Sequence, residues 1–122
     1  MSKRIITVDD AQTMRRLVGY TLRGVGHDVI EAQDGVDALR VLEKQGVDLV
    51  ITDVNMPNMD GLELVRRLRA LPKFRATPIL LLTTESDPEK KKQGKEAGAT
   101  GWITKPFQPD QLVAAVAKVT GL

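Results

Sequence analysis

The sequence predicts an α/β fold: a doubly wound sheet of five parallel strands with five flanking helices. Three observations predict it. Short apolar runs alternate with stretches whose apolar residues recur at three- and four-residue steps, and the alternation continues from end to end. Most of the runs are rich in Ile, Val and Leu, as strands buried on both faces are. Strands alternating with helices lie parallel, in one sheet covered on both sides.

The elements follow in order. The first strand is read over Ile5 to Val8, and Met14, Leu17, Val18, Leu22 and Val25 form the apolar stripe of the first helix. Val29 to Ala32 is the second strand, and Val36, Leu39 and Leu42 mark the second helix, with Asp34 as N-cap before Gly35. Leu49 to Thr52 is the third strand, and Gly61 to Leu71 carries the third helix. After the fourth strand, Ile79 to Thr83, the stretch Pro88 to Gly98 is polar, contains Gly94 and offers only Ala97 to a core, which predicts a marginal, mobile helix. Gly101 to Thr104 is the fifth strand, and Leu112, Val113, Val116 and Val119 belong to a last helix entered through Pro109. Every segment joins this series, so residues 1–122 are expected to be one domain with no output domain. A chain of that length buries roughly two-thirds of its unfolded surface.

Composition narrows the function classes. The absence of cysteine excludes disulfides, thiolate metal sites and cysteine nucleophiles, and suits a reducing compartment. No apolar stretch is long enough to span a bilayer, and the start of the chain lacks the form of a signal peptide, so a cytoplasmic location without membrane insertion is expected. A net charge of +2 is too mild to argue for nucleic acid.

The reactive side chains then fall at one place. Asp9 and Asp10 follow the first strand, Asp53 ends the third, Thr83 ends the fourth and Lys105 follows the fifth. All of them belong to the carboxyl edge, where open α/β sheets bind ligands. With the strand order 2-1-3-4-5 of flavodoxin-like sheets, Asp9, Asp10 and Asp53 meet in one crevice. Three such carboxylates either raise their pKa values or take a cation. Oxygen ligands with no His or Cys favour Mg²⁺ or a similar ion, which takes one or two carboxylates and keeps several waters. A carboxylate can also be a nucleophile that forms an aspartyl phosphate. The Lys105 ammonium and the Thr83 hydroxyl are then suited to the phosphoryl oxygens. Neither GxxxxGK[ST] nor GxGxxG occurs, so the phosphoryl donor is expected to be another molecule. Taken singly, each residue has an ordinary reading as a cap, a loop acid, a strand-end hydroxyl or a solvated lysine. Together those readings require independent coincidences at one sheet edge.

Val8-Asp9-Asp10, Asp53 followed by Asn55-Met56-Pro57-Asn58-Met59-Asp60-Gly61, then Thr83 and Lys105-Pro106-Phe107, resemble the response-regulator receiver family. Thr13-Met14-Arg15-Arg16 and Asp34-Gly35-Val36-Asp37-Ala38-Leu39 resemble its stand-alone chemotaxis members, and the likeness covers nearly the whole chain. The resemblance implies phosphorylation of Asp53 by a sensor histidine kinase, with Mg²⁺ held by Asp10, Asp53 and the Asn55 carbonyl, and by Asp9 through a water. It implies that Lys105 pairs with the phosphoryl oxygens before a cis Pro106, that Thr83 swings towards the phosphate, and that Trp102 is the rotating switch aromatic. Trp is a departure from the family's usual Tyr or Phe. Asn55 and Glu85 match the pair that tunes dephosphorylation. The implied protein is a monomeric phosphoacceptor switch rather than an enzyme with an external substrate, and its partners are the kinase, a phosphatase and the flagellar motor switch or another phospho-dependent target. A phosphate sink or relay receiver is the alternative output.

Other features have two readings. Lys90, Lys91, Lys92 and Lys95 form either a solvated helix face or, with Trp102, a face that docks an acidic partner. Arg15 and Arg16 are surface charges or kinase-docking residues. An Asp-nucleophile phosphatase of the haloacid-dehalogenase kind fits poorly, since position 55 is Asn and there is no room for a cap domain. A flavodoxin-like cofactor binder fits no better, because the turn after the first strand is acidic.

Overall fold

The computed structural model describes residues 2–84 and 88–121. Strands β1 (Arg4–Val8), β2 (Asp28–Ala32), β3 (Leu49–Asp53), β4 (Ile79–Thr84) and β5 (Gly101–Lys105) alternate with helices α1 (Gln12–Gly24), α2 (Gly35–Lys44), α3 (Gly61–Arg69), α4 (Pro88–Ala97) and α5 (Pro109–Thr120). The strands form one parallel sheet in the order β2-β1-β3-β4-β5. Among the described residues no helix is long and apolar enough to cross a membrane.

Alternation along the strands divides the core in two. In β1, Ile6 and Val8 join a layer with Ala38, Leu42, Leu62, Val65 and Leu68 of α2 and α3, whereas Ile5 joins Val18, Leu22, Leu112 and Val116 of α1 and α5. β3 does the same, sending Val50 to the first layer and Leu49 and Ile51 to the second. Both faces of the central strands are therefore buried, which is why their sequences read as unbroken apolar runs.

Several expectations are corrected. In α1 only Val18 and Leu22 of the predicted stripe are fully buried; Leu17 and Val25 are exposed. Val18 and Leu22 lie four residues apart on one face, Leu17 is turned about 100° from Val18, and Val25 lies past the helix end as its C-cap. Helix α3 stops at Arg69, leaving Leu71 exposed, and a short 3₁₀ turn, Pro72–Phe74, carries Phe74 into the core. In α4 the buried residue is Gly94, and Ala97 is only partly buried. A side chain at Gly94 would strike Leu81 of β4, so the helix can lie this close to the sheet because that position is glycine.

The caps explain where helices begin. Asp34 accepts the Asp37 N–H at 2.8 Å ahead of α2, and Asp60 accepts the Glu63 N–H at 2.8 Å ahead of α3. Gln108 and Gln111 form a reciprocal capping box at α5, with Pro109 in the first turn.

Candidate functional site

Strand register assembles the site. Val8 pairs with Thr52 across β1 and β3, which sets Asp9, one residue beyond, level with Asp53. Asp53 pairs with Leu82 of β4, so Thr83 is the next residue along that edge, and Thr84 pairs with Lys105 of β5. Asp53 ends β3 as expected, and Lys105 is the last residue of β5 rather than the residue after it.

Ligand oxygens of Asp9, Asp10 and Asp53 all lie within 4.8 Å of one another. Asp9 is 0% and Asp53 8% exposed, while Asp10 is open to solvent. The Asp9 backbone N–H donates to the Ala32 carbonyl at 3.1 Å, and its Oδ1 accepts the Ala11 N–H at 2.9 Å. Its Oδ2 is buried with no hydrogen-bond partner. Burial, together with the neighbouring Asp53 and Asp10 carboxylates, pushes the Asp9 carboxyl above its ordinary range, against the lowering effects of the Ala11 N–H and Lys105. An orphaned buried carboxylate oxygen facing two further carboxylates is what a hard divalent cation would satisfy, so these residues fit Mg²⁺.

Lys105 Nζ donates to Asp53 Oδ1 at 2.7 Å and lies 3.9 Å from Asp9 Oδ2. The Lys105–Pro106 peptide is cis, and Phe107 packs against the α1/α5 layer. Thr83 is 4% exposed and its hydroxyl donates to the Thr84 carbonyl at 3.1 Å. Asn55 is exposed in the loop after β3.

Trp102 stands apart from this cluster, 44% exposed on β5, with Lys91 Nζ 5.7 Å from its ring centre. Of the α4 lysines, Lys92 and Lys95 are exposed, whereas Lys90 and Lys91 are partly buried, so the segment is not uniformly a solvated face. Glu85 lies outside the described residues.

Two contributors escaped the sequence reading as site residues. Gly61 begins α3 directly beneath Asp53: a side chain there would strike the Asp53 carbonyl, and its N–H donates to the Val54 carbonyl at 2.8 Å. The Asp60-Gly61 pair reads as a turn, and only the packing gives the reason for the glycine. Arg15 is the second. It reaches back from α1 to the Asp9 carbonyl at 2.8 Å and is neither a free surface charge nor in contact with solvent alone.

Comparison with known proteins agrees with this geometry. The profile of the response regulator receiver domain matches residues 5–117. A chemotaxis protein CheY homolog of Campylobacter jejuni is 42% identical over 120 residues, which is 97% of this chain and 92% of the relative. The chemotaxis response regulator CheY4 of Vibrio cholerae superposes with a TM-score of 0.92 at 44% identity, covering 98% of this chain and 99% of that one. The receiver domain of a sensor histidine kinase from Pseudomonas aeruginosa, solved with a magnesium ion coordinated in its active-site cleft, superposes with a TM-score of 0.92 at 27% identity over the full length of both. The match of sequence along almost the whole chain, and of fold in every strand, means that this chain belongs to the response-regulator receiver family.

Proposed function

We propose that the chain is a stand-alone, cytoplasmic phosphorylation switch of a chemotaxis two-component system, with Asp53 as phosphoacceptor. The observation that carries this reading is the Asp53 carboxylate in the acidic cluster, with Lys105 Nζ 2.7 Å from its Oδ1. An Asp53 oxygen attacks the phosphorus of a kinase phosphohistidine. The P–N bond breaks, its electron pair stays on the imidazole nitrogen, and the ring leaves as neutral imidazole, its one proton either already on the other ring nitrogen or taken up by the freed one. Asp10, Asp53 and the Asn55 carbonyl would hold Mg²⁺, with Asp9 acting through a water; the ion supplies charge neutralisation for the phosphoryl oxygens. Lys105 moves its hydrogen bond from Asp53 to a phosphoryl oxygen, and Thr83 turns its hydroxyl from the Thr84 carbonyl towards another. Hydrolysis by water, tuned by Asn55 and Glu85, returns the carboxylate and releases phosphate.

The output is a population shift. Phosphate favours the form in which Thr83 and Trp102 turn inward, and the α4–β5–α5 face, including the α4 lysines, then binds the flagellar motor switch or another target. The names of the relatives support the chemotaxis reading. A phosphate sink or relay is the second reading, favoured by the likeness to receiver domains of sensor histidine kinases. A motor regulator binds its target more tightly when phosphorylated, whereas a sink has no target.

The test is acetyl phosphate labelling with Mg²⁺, read by intact mass. The wild type gains one phosphoryl group and Asp53→Asn gains none. Full labelling of Asp53→Asn sinks the assignment.

A further inference from the structure

We infer that Arg15 is a positioning residue for the acidic site, holding the turn between β1 and α1 so that Asp9 and Asp10 are set to receive a divalent cation. The inference rests on the reading of Asp9, Asp10 and Asp53 as the Mg²⁺ site.

Helix α1 begins at Gln12, immediately after these acids, yet its N-cap, Ala11, has no side chain able to hold the turn. Arg15 takes that place from one turn inside the helix. One guanidinium nitrogen donates to the Asp9 carbonyl at 2.8 Å, and Nε donates to Glu31 Oε1 at 3.2 Å. Glu31 belongs to β2, the strand beside β1, so the guanidinium bridges sheet, turn and helix. The other Glu31 oxygen accepts from Arg23 at 3.2 Å, and Arg23 donates in addition to the Val29 carbonyl at 2.9 Å. The carboxylate that aims Arg15 is itself fixed from its far side. Arg15 and Glu31 are 16% and 24% exposed, which shields the pair from the solvent competition that weakens surface ion pairs.

Every polar atom of Asp9 except Oδ2 is thereby engaged: N–H with Ala32, carbonyl with Arg15, Oδ1 with Ala11. With its main chain pinned on both sides, the orphaned Oδ2 points into the cluster without a further loss of freedom on binding.

Electrostatics and positioning predict opposite signs for loss of Arg15. If Arg15 acts only as a nearby positive charge, removing it lessens repulsion and tightens Mg²⁺ binding. If it positions the turn, removing it weakens binding. Arg23 is the internal control, because it shares Glu31 but does not touch the turn. Calorimetric Mg²⁺ titration of the phosphate-free protein separates these cases. Arg15→Ala is expected to weaken Mg²⁺ about tenfold, the scale for loss of a group that orients a metal ligand. Arg23→Ala, which loosens only the carboxylate that aims Arg15, loses less than Arg15→Ala, and Arg15→Lys, which keeps the charge but not the two-nitrogen fork, loses affinity in the same direction as Arg15→Ala. Equal or tighter binding by Arg15→Ala overturns the inference, and so do equal losses in Arg15→Ala and Arg23→Ala. Should Arg15→Ala fail to fold, Arg15→Lys decides, because it keeps the charge and loses the fork: weaker Mg²⁺ binding than wild type supports positioning, and equal binding overturns it. A wild type that binds no Mg²⁺ overturns the site reading itself, and the inference with it.

Discussion

Asp9 contains the site's central conflict in one residue. Its carboxylate is fully buried, one oxygen has no hydrogen-bond partner, and burial holds its pKa above the ordinary value of 3.8. A carboxyl whose folded pKa is raised binds its proton more tightly in the folded state. Its contribution therefore favours folding below 3.8 and is lost as pH rises through the folded pKa. At neutral pH and without a cation the ionised group costs stability. Asp9→Asn, which keeps an oxygen for the Ala11 N–H, is expected to melt a few degrees higher than wild type in Mg²⁺-free buffer. That advantage shrinks as the pH is lowered towards 3.8, and added Mg²⁺ reverses it by stabilising the wild type through binding. Identical melting curves at every pH would contradict this account of the residue. The acids, Thr83 and Lys105 were legible in the sequence because each falls where an apolar run ends, and in a parallel sheet those ends share one edge. Arg15 and Gly61 were not, since their roles depend on what the turn and the loop fold back against. No spacing rule reports that the Asp9 carbonyl lies beside one and the Asp53 carbonyl beside the other.

At the scale of elements, α4 was the one most weakly written, and the reason is visible in its packing. The helix presents a glycine to the sheet, where most helices present Leu or Val, so periodicity had little to detect. The end of α4 is tied down instead by an arginine from another helix. Arg69, the last residue of α3, donates to the Gly98 carbonyl at 2.9 Å and to the Phe74 and Thr77 carbonyls at 2.7 Å each, and reaches Thr100 Oγ1 at 3.5 Å. It thereby joins the loop before β4 to the loop after α4. Arg69→Ala leaves these carbonyls without their charged donor, and a loss of about 1.5–3 kcal/mol is expected in urea unfolding, the range for hydrogen bonds to a charged group. A loss within about 0.5 kcal/mol, the scale of ordinary surface substitutions, would show the tie to be idle. The 3₁₀ turn that supplies one of these carbonyls, that of Phe74, was invisible in the sequence: Leu71 and Phe74 look like equivalent apolar residues, but one is exposed and the other buried.

Over the whole molecule the two apolar layers hold the sheet from both faces, and the strands that lead to the acidic edge are buried along nearly their whole length. The face formed by α4 and β5 is different in kind. It combines a helix with little apolar contact, an exposed tryptophan and a lysine lying over that ring. β4 and β5, whose paired ends hold Thr83 and Lys105, join the acidic edge to that face. The fold class and strand order could be anticipated because alternation of runs and helical periods leaves few arrangements for a chain of this length. The outward setting of Trp102 could not, because a sequence records the residue and not its rotamer. Since the chain has one tryptophan, its fluorescence reports this residue alone. The most direct test of the switch is therefore a titration followed by Trp102 fluorescence. The protein, with and without Mg²⁺ and beryllofluoride as a phosphoryl mimic, is titrated with the N-terminal peptide of a flagellar switch protein from the same organism. The account predicts that loading changes the fluorescence of the wild type but not of Asp53→Asn, and that the loaded wild type binds the peptide more tightly. A wild type whose fluorescence and peptide affinity are the same loaded and unloaded would contradict it.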